Sequence, residues 1–324
     1  MKKIIAIGNA LVDVLVRMED EQLLSKFNIA KGSMQLVDKE KSKEVETALY
    51  EYKKHMASGG SAANAIRGMA MLGIDVGFIG KVGDDTLGSF FYEDMEKIGV
   101  KTILLQSATE TGRAIAMVSP DSERTFATYL GAAIELTSND ITSDVFKGYD
   151  VYHVEGYLVY NHELIRSTVE MASKAGLKIS LDLASYNVVG DNREFLTELV
   201  KNYVDIVFAN EEEAKAFCGC DPYEAVDMLG KMCEVAVVKI GKEGSLIRKG
   251  NEFARVQSIH ANAIDTTGAG DLFASGFLYG YANGFDIEKS AKIGAIVAGN
   301  VVEVMGATMD ELRWNNIKNL IKVL

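Results

Sequence analysis

The chain predicts an α/β protein: a three-layer, doubly wound, mostly parallel sheet with a small β-sheet lid. Two observations predict it. First, short β-branched runs alternate with helix-period segments over most of the 324 residues. Near-continuous apolar strands separated by amphipathic helices describe a parallel sheet covered on both faces. Strands are expected at 4–8, 76–80, 151–155, 178–183, 204–209 and 235–240, with helices near 60–72, 87–98, 162–175, 193–202 and 222–231. Three more helices follow near 270–283, 287–305 and 310–323. Second, residues 14–38 and 109–130 break this rhythm and alternate apolar with polar, with a turn at Ser119-Pro120-Asp121. That is antiparallel hairpin patterning with one wet face. The two pieces are expected to pair into a lid, and 1–13, 39–108 and 131–324 then form the large domain. A decorative hairpin is the other reading of this patterning.

Composition narrows the function classes. With 48% hydrophobic and 25% charged residues, the chain reads as globular. A net charge of −12 argues against nucleic acid or an anionic membrane as partner, since both need clustered Lys and Arg. A polyanionic substrate must then be met locally, by a few basic side chains and backbone N–H groups. Three cysteines (Cys218, Cys220, Cys233) make no disulfide framework, and the four histidines offer the Cys218-x-Cys220 pair no zinc-like spacing. Free thiols fit a reducing, cytoplasmic setting. The start, MKKIIAIGNALVDVLV, resembles a signal peptide, but Asn9 and Asp13 interrupt it, so a buried first strand is expected. No run approaches the ~18 apolar residues of a membrane span.

The familiar nucleotide motifs are missing. Gly83 to Gly88 followed by Ser89 lacks the lysine of a P-loop, and the first strand leads into Gly8-Asn9-Ala10 without G-x-G-x-x-G. Four other stretches carry chemistry. In "IDTTGAGDLFASGFL", Gly268, Ala269 and Gly270 open a helix whose N–H groups can converge on an anion, and Asp271 falls in its first turn. That combination suits phosphoryl transfer, although the helix dipole also favours Asp there. Ser58-Gly59-Gly60-Ser61-Ala62-Ala63-Asn64 starts another helix; it is either a plain helix start or a site for polyol hydroxyls. Asn210-Glu211-Glu212-Glu213 follows a strand, where Asn210 and Glu213 can hold Mg²⁺ through water or merely begin a helix. Lys239-Ile240-Gly241-Lys242-Glu243-Gly244 ends another strand in a turn open to a nucleotide, or in a simple hairpin.

Taken in order, the four resemble the motifs of the ribokinase-like (PfkB-type) kinases: an early Gly-Gly with a following Asn, N-x-x-E, K-x-G-x-x-G and a late D-T-x-G-A-G-D. The resemblance spans essentially the whole chain, with the hairpin pieces matching that family's lid. It implies ATP with Mg²⁺, a small-molecule acceptor (nucleoside or sugar), and a monomer or homodimer. Asp271 would be the base, with Gly268, Ala269 and Gly270 as anion hole and Arg124 as charge stabiliser. Asp13, with Asn9, Gly59, Gly60 and Asn64, would bind acceptor hydroxyls. Asn210, Lys239, Gly241, Gly244 and Thr266 would border ATP, and Glu213 would serve Mg²⁺ through water. Asp265 and Thr267 are the candidates for a monovalent cation such as K⁺.

Within the family the chain is most similar to adenosine kinases, on "GNALVD", "YVDIVFANEEEA" and "IDTTGAGDLFASGFL". Leu11, Leu36, Phe126 and Leu130 match positions that clamp the base, a good use of apolar surface against a flat π system. Met34, with Gln35 beside it, departs from the animal-type pattern, and Ala62-Ala63 are more like bacterial sugar kinases. The expected reaction is transfer of the ATP γ-phosphoryl to a primary hydroxyl, the 5′-OH of adenosine first. A sugar kinase is the alternative, and a nucleotide-binding sensor without catalysis is a third reading.

Overall fold

The computed structural model describes residues 1–121 and 123–324; Ser122, inside the predicted lid hairpin, lies outside them. Along the chain the strands are β1 (Ile4–Ile7), β2 (Leu11–Arg17), β3 (Met34–Leu36), β4 (Lys54–Gly59), β5 (Val76–Gly83), β6 (Lys101–Ser107) and β7 (Thr111–Val118). They continue as β8 (Arg124–Gly131), β9 (Val151–Glu155), β10 (Lys178–Asp182), β11 (Ile206–Asn210), β12 (Val235–Lys239), β13 (Ser245–Lys249) and β14 (Glu252–Val256).

Nine strands form one sheet in the order β14-β13-β12-β11-β10-β9-β1-β5-β6. All neighbours pair in parallel except at the β12-β13-β14 edge, which is antiparallel. The period of two sends alternate side chains to opposite faces. Ile4 and Ala6 of β1 join one apolar cluster with Phe78, Phe208 and Phe277, while Ile5 and Ile7 join another with Tyr152 and Ile179. Helices Ser61–Leu72, Ala269–Ala282 and Ile287–Val301 cover the first face, and His162–Lys174, Arg193–Asn202, Glu211–Cys218 and Pro222–Gly230 the second. Chain order runs away from β1 in both directions, so the crevice for a ligand lies at the carboxyl ends of the strands beside it.

The second sheet is five-stranded, β3-β8-β7-β2-β4. The two predicted pieces do pair, but β2 lies parallel to β7 and β3 parallel to β8; only β7–β8 is a hairpin. The antiparallel partner of β2 is β4, from a segment the sequence reading placed in the large domain. Its polar composition, KHMASG, hid it. One face of this sheet is packed and the other opens onto the crevice. Val14, Val16, Ile115 and Met117 pack with Val45 and Leu49 at the end of helix Lys39–Ala48. The opposite face, with Asp13, Ala114 and Thr128, looks onto the crevice. Every residue of β7 is buried between them.

Candidate functional site

At the carboxyl ends of the large sheet, under the small one, lies a cavity of about 1200 Å³. Strand after strand ends in a polar side chain on its wall: Asn9 just past β1, Glu155 on β9, Asp182 on β10, Asn210 on β11 and Lys239 on β12. That alignment follows from parallel pairing, because strands in register all end on one edge.

Asp271 stands in the first turn of helix Ala269–Ala282, whose N-cap Gly268 sits at φ +74°, a left-handed conformation suited to glycine. Ser61 Oγ donates to Asp271 Oδ1 at 2.7 Å and Asn64 Nδ2 to Oδ2 at 3.0 Å. The helix Ser61–Leu72 thus holds the carboxylate in place, while Asn64 Oδ1 is buried with no partner among the described residues. Withdrawal from water lifts the Asp271 pKa to about 6 against those two donors. Asp13, on β2, is raised to about 7 by desolvation and then by the charge of Asp271. Gly59, on the paired strand, does not line the cavity; a Cβ there would collide with the Asp13 carboxyl.

Glu155 accepts from the Asn9 Nδ2 at 2.6 Å, the Asn9 N–H at 3.3 Å and the Ala62 N–H at 3.0 Å. Burial nevertheless pushes it up to about 7. Asn210 and Glu213 close a reciprocal capping box: Asn210 Oδ1 accepts from the Glu213 N–H at 2.8 Å, while Glu213 accepts from the Asn210 N–H and Nδ2 at 2.7 Å each. Burial, with Asp182 nearby, raises Glu213 to about 7. Lys239 Nζ donates to Asp182 Oδ2 at 3.0 Å, and Gly241, Gly244 and Thr266 line the same end of the cavity.

Arg124 does not line the cavity. Its guanidinium pairs with Asp265 Oδ2 at 2.6 Å and donates to Thr267 Oγ1 at 3.1 Å. Asp265 also accepts from the Thr267 N–H at 3.0 Å and the Gly306 N–H at 2.7 Å. This carboxylate therefore ties together the glycine loop, the segment around Gly306 and the small sheet. The four expected base contacts do meet: Leu11, Leu36, Phe126 and Leu130 line one wall, with Met34 beside them.

Three residues of the site stand outside the four sequence motifs as chemical groups: Ser61, Glu155 and Asp182. Glu155 and Asp182 sat at or next to the end of predicted strands, and a carboxylate there is a signal in its own right, since those ends face the crevice. Ser61 had none, because its role depends on Asp271, 210 residues away. Cys218 and Cys220 are free thiols at the end of helix Glu211–Cys218, away from the cavity.

A family model for pfkB family carbohydrate kinases matches residues 24–313. The chain belongs to the PfkB family. Among solved structures it resembles a probable sugar kinase from Rhizobium etli CFN 42, at 34% identity over 98% of both chains with a TM-score of 0.88. It equally resembles the adenosine kinase of Sinorhizobium meliloti, at 34% identity over 98% of this chain and 99% of that one, TM-score 0.88. The 5-dehydro-2-deoxygluconokinase of Bacillus subtilis (strain 168) is 32% identical over 260 residues, 75% of this chain and 80% of that protein. As a PfkB kinase the protein is a phosphotransferase acting on a sugar or nucleoside. Kinases of this family use ATP, typically with Mg²⁺.

The residues present fit such a cofactor. Asp182, Glu213 and Asp271 share the wall near Lys239, and the Asp182 charge helps burial to raise the proton affinity of Glu213 and Asp271, an excess of hard negative oxygen that a divalent cation relieves. Among the described residues no three such groups converge closely enough to coordinate a metal directly. Mg²⁺ keeps several waters, so an outer-sphere hold by Glu213 suits it. Among the described residues no helix is long and apolar enough to cross a membrane.

Proposed function

We propose that this kinase moves the γ-phosphoryl of ATP to the 5′-hydroxyl of adenosine or a closely related nucleoside. The observation that carries the reading is the placement of Asp271: a base held by Ser61 and Asn64 beside the helix start at Gly268–Gly270, on a cavity also lined by Leu11, Leu36, Phe126 and Leu130. A nucleoside lays its flat base against that apolar wall and turns its ribose toward Asp13, Asn9 and Asn64. Its 5′-hydroxyl then reaches Asp271.

With its pKa near 6, Asp271 is mostly ionised at neutral pH and takes the hydroxyl proton as the acceptor oxygen attacks phosphorus. The N–H groups of Gly268, Ala269 and Gly270 meet the charge on the transferring phosphoryl. Asn210, Gly241, Gly244 and Thr266 border the nucleotide. Mg²⁺, held through water by Glu213, would neutralise phosphate charge. Arg124 leaves Asp265 as the small sheet closes and approaches the phosphoryl; closure also excludes water. A monovalent cation at Asp265 and Thr267 would then replace the departed guanidinium.

A sugar kinase is the second reading, favoured by the polar floor of Asp13, Asn9 and Asn64, which serves any polyol. A coupled ADP-release screen over nucleosides and sugars with Mg-ATP separates the two. Adenosine is expected to give the highest kcat/KM; a preference for ribose or fructose overturns the nucleoside reading.

A further inference from the structure

The cavity wall is richer in carboxylate than in cation. Two lysines line it, Lys239 and the exposed Lys242, and the lid arginine is engaged by Asp265. A nucleoside triphosphate brought here needs a positive group already facing it, since an acidic chain of net charge −12 repels it at long range. Lys239 is that group by position. A Cβ added at Gly270 would stand 3.1 Å from Lys239 Nζ, so the ammonium rests against the N-terminal turn that carries Asp271. Its stem leaves the end of β12, and its head is fixed by Asp182 from the end of β10, two strands away. Asp182 is in turn fixed on its other oxygen, which accepts from the Ala184 N–H at 3.0 Å. The side chains of Lys239 and Asp182 are only 14% and 7% exposed, so neither is a wandering surface charge. Of the three ammonium N–H groups, Asp182 takes one.

We propose that Lys239 is the cation that faces the transferred phosphoryl itself, and that Asp182 is its positioning residue. The proposal rests on the reading of the protein as an ATP-dependent kinase and deepens it. The bond between the γ-phosphorus and the β–γ bridging oxygen breaks as the acceptor oxygen bonds to that phosphorus. The acceptor proton goes to Asp271, and Lys239 gives up no proton throughout. Its charge is fixed where three phosphoryl oxygens gather charge, at the mouth of the glycine turn. The carboxylates of Asp182, Glu213 and Asp271 keep the ammonium protonated despite its burial. Arg124 then adds its charge only on closure, whereas Lys239 is in place before ATP arrives.

The test is an equilibrium titration of the whole enzyme with Mg-ADP and with the non-hydrolysable analogue Mg-AMPPNP, beside steady-state kinetics. Lys239→Gln is expected to lower kcat on the order of 10²–10³-fold, the usual cost of one such donor. It should also weaken AMPPNP binding on the order of tenfold, the loss of one charged contact, while leaving ADP binding within about threefold. Asp182→Asn should move both readouts in the same direction by a smaller factor, with Asp182→Glu recovering part of the loss. Should Lys239→Gln leave Asp182 too poorly paired to fold, the double variant Lys239→Gln with Asp182→Asn removes both charges and is read the same way. Equal loss of ADP and AMPPNP affinity would overturn the proposal, because the lysine would then serve the α- and β-phosphates. Unchanged kcat would overturn it as well. If the wild-type enzyme phosphorylates neither nucleosides nor sugars, the proposed activity falls, and the ADP–AMPPNP comparison still decides the place of Lys239.

Discussion

The two walls of the cleft are built on different principles. On the large-sheet side each functional side chain is locked by its own neighbourhood: Asp271 by Ser61 and Asn64, Glu155 by Asn9 and Ala62, Glu213 by Asn210, Lys239 by Asp182. On the small-sheet side the apolar contacts depend on strand register alone. Leu36 sits on three-residue β3 and is 65% exposed, and Met34 is 52% exposed. Chemistry requires groups held to within a fraction of an ångström, and a packed, hydrogen-bonded wall supplies that. Apolar recognition tolerates looser elements, because a bound ligand itself completes their burial.

The largest expected effect is on the rigid wall. Asp271→Asn should reduce kcat by roughly 10²–10⁴-fold, the contribution of a general base. ADP release measures it, and turnover within about tenfold of wild type would remove Asp271 from that role. Next comes the apolar wall. Phe126→Ala with Leu130→Ala deletes side chains worth about 1.5–3 kcal/mol each when buried, so KM for adenosine should rise on the order of tenfold to a hundredfold or more. KM for ribose or fructose should change less than about threefold; a similar rise for both classes would erase the contrast between the walls.

A smaller effect concerns pH. With Asp271 at about 6, the ionised base is lost as pH falls through that value, so kcat/KM should drop about tenfold per unit below it. A half-point near 4, where unperturbed carboxylates titrate, would mean that the wall does not desolvate Asp271. The smallest effect is on stability. Glu155 keeps its proton up to about 7 in the folded state but loses it near 4.5 when unfolded. The folded form thus binds more protons between those values. The stability from this group is fully present below about 4.5 and is lost as pH rises through about 7. The melting temperature of the ligand-free protein should therefore fall over that window, and Glu155→Gln should flatten the fall. Parallel melting curves for the two would show that Glu155 titrates normally.

Much of the rigid wall was legible in the sequence. "DTTGAGD" announces an anion-binding helix start, and "NEEE" after a β-branched run announces a capped helix at a strand end. Both are local features, written in consecutive residues, and helices do begin there, at Ala269 and Glu211. The small sheet was half legible. Its two pieces were visible as alternating stretches, and 109–130 does form a hairpin, yet β4 was not visible and the two pieces pair with each other in parallel. Alternation reports which side chains face inward, not which strand lies alongside.

By itself, the sequence determined the periodicities, the helix starts and the strand ends, hence the layered α/β plan and the family. Those follow from backbone geometry and side-chain chemistry within a few residues. Only the tertiary structure decided that Arg124 pairs with Asp265, that Ser61 orients Asp271, and that Asp182 fixes Lys239 against Gly270. Those partners lie 57 to 210 residues apart. No local pattern records such contacts; they exist because parallel strands bring their ends to one edge and a second sheet folds over it.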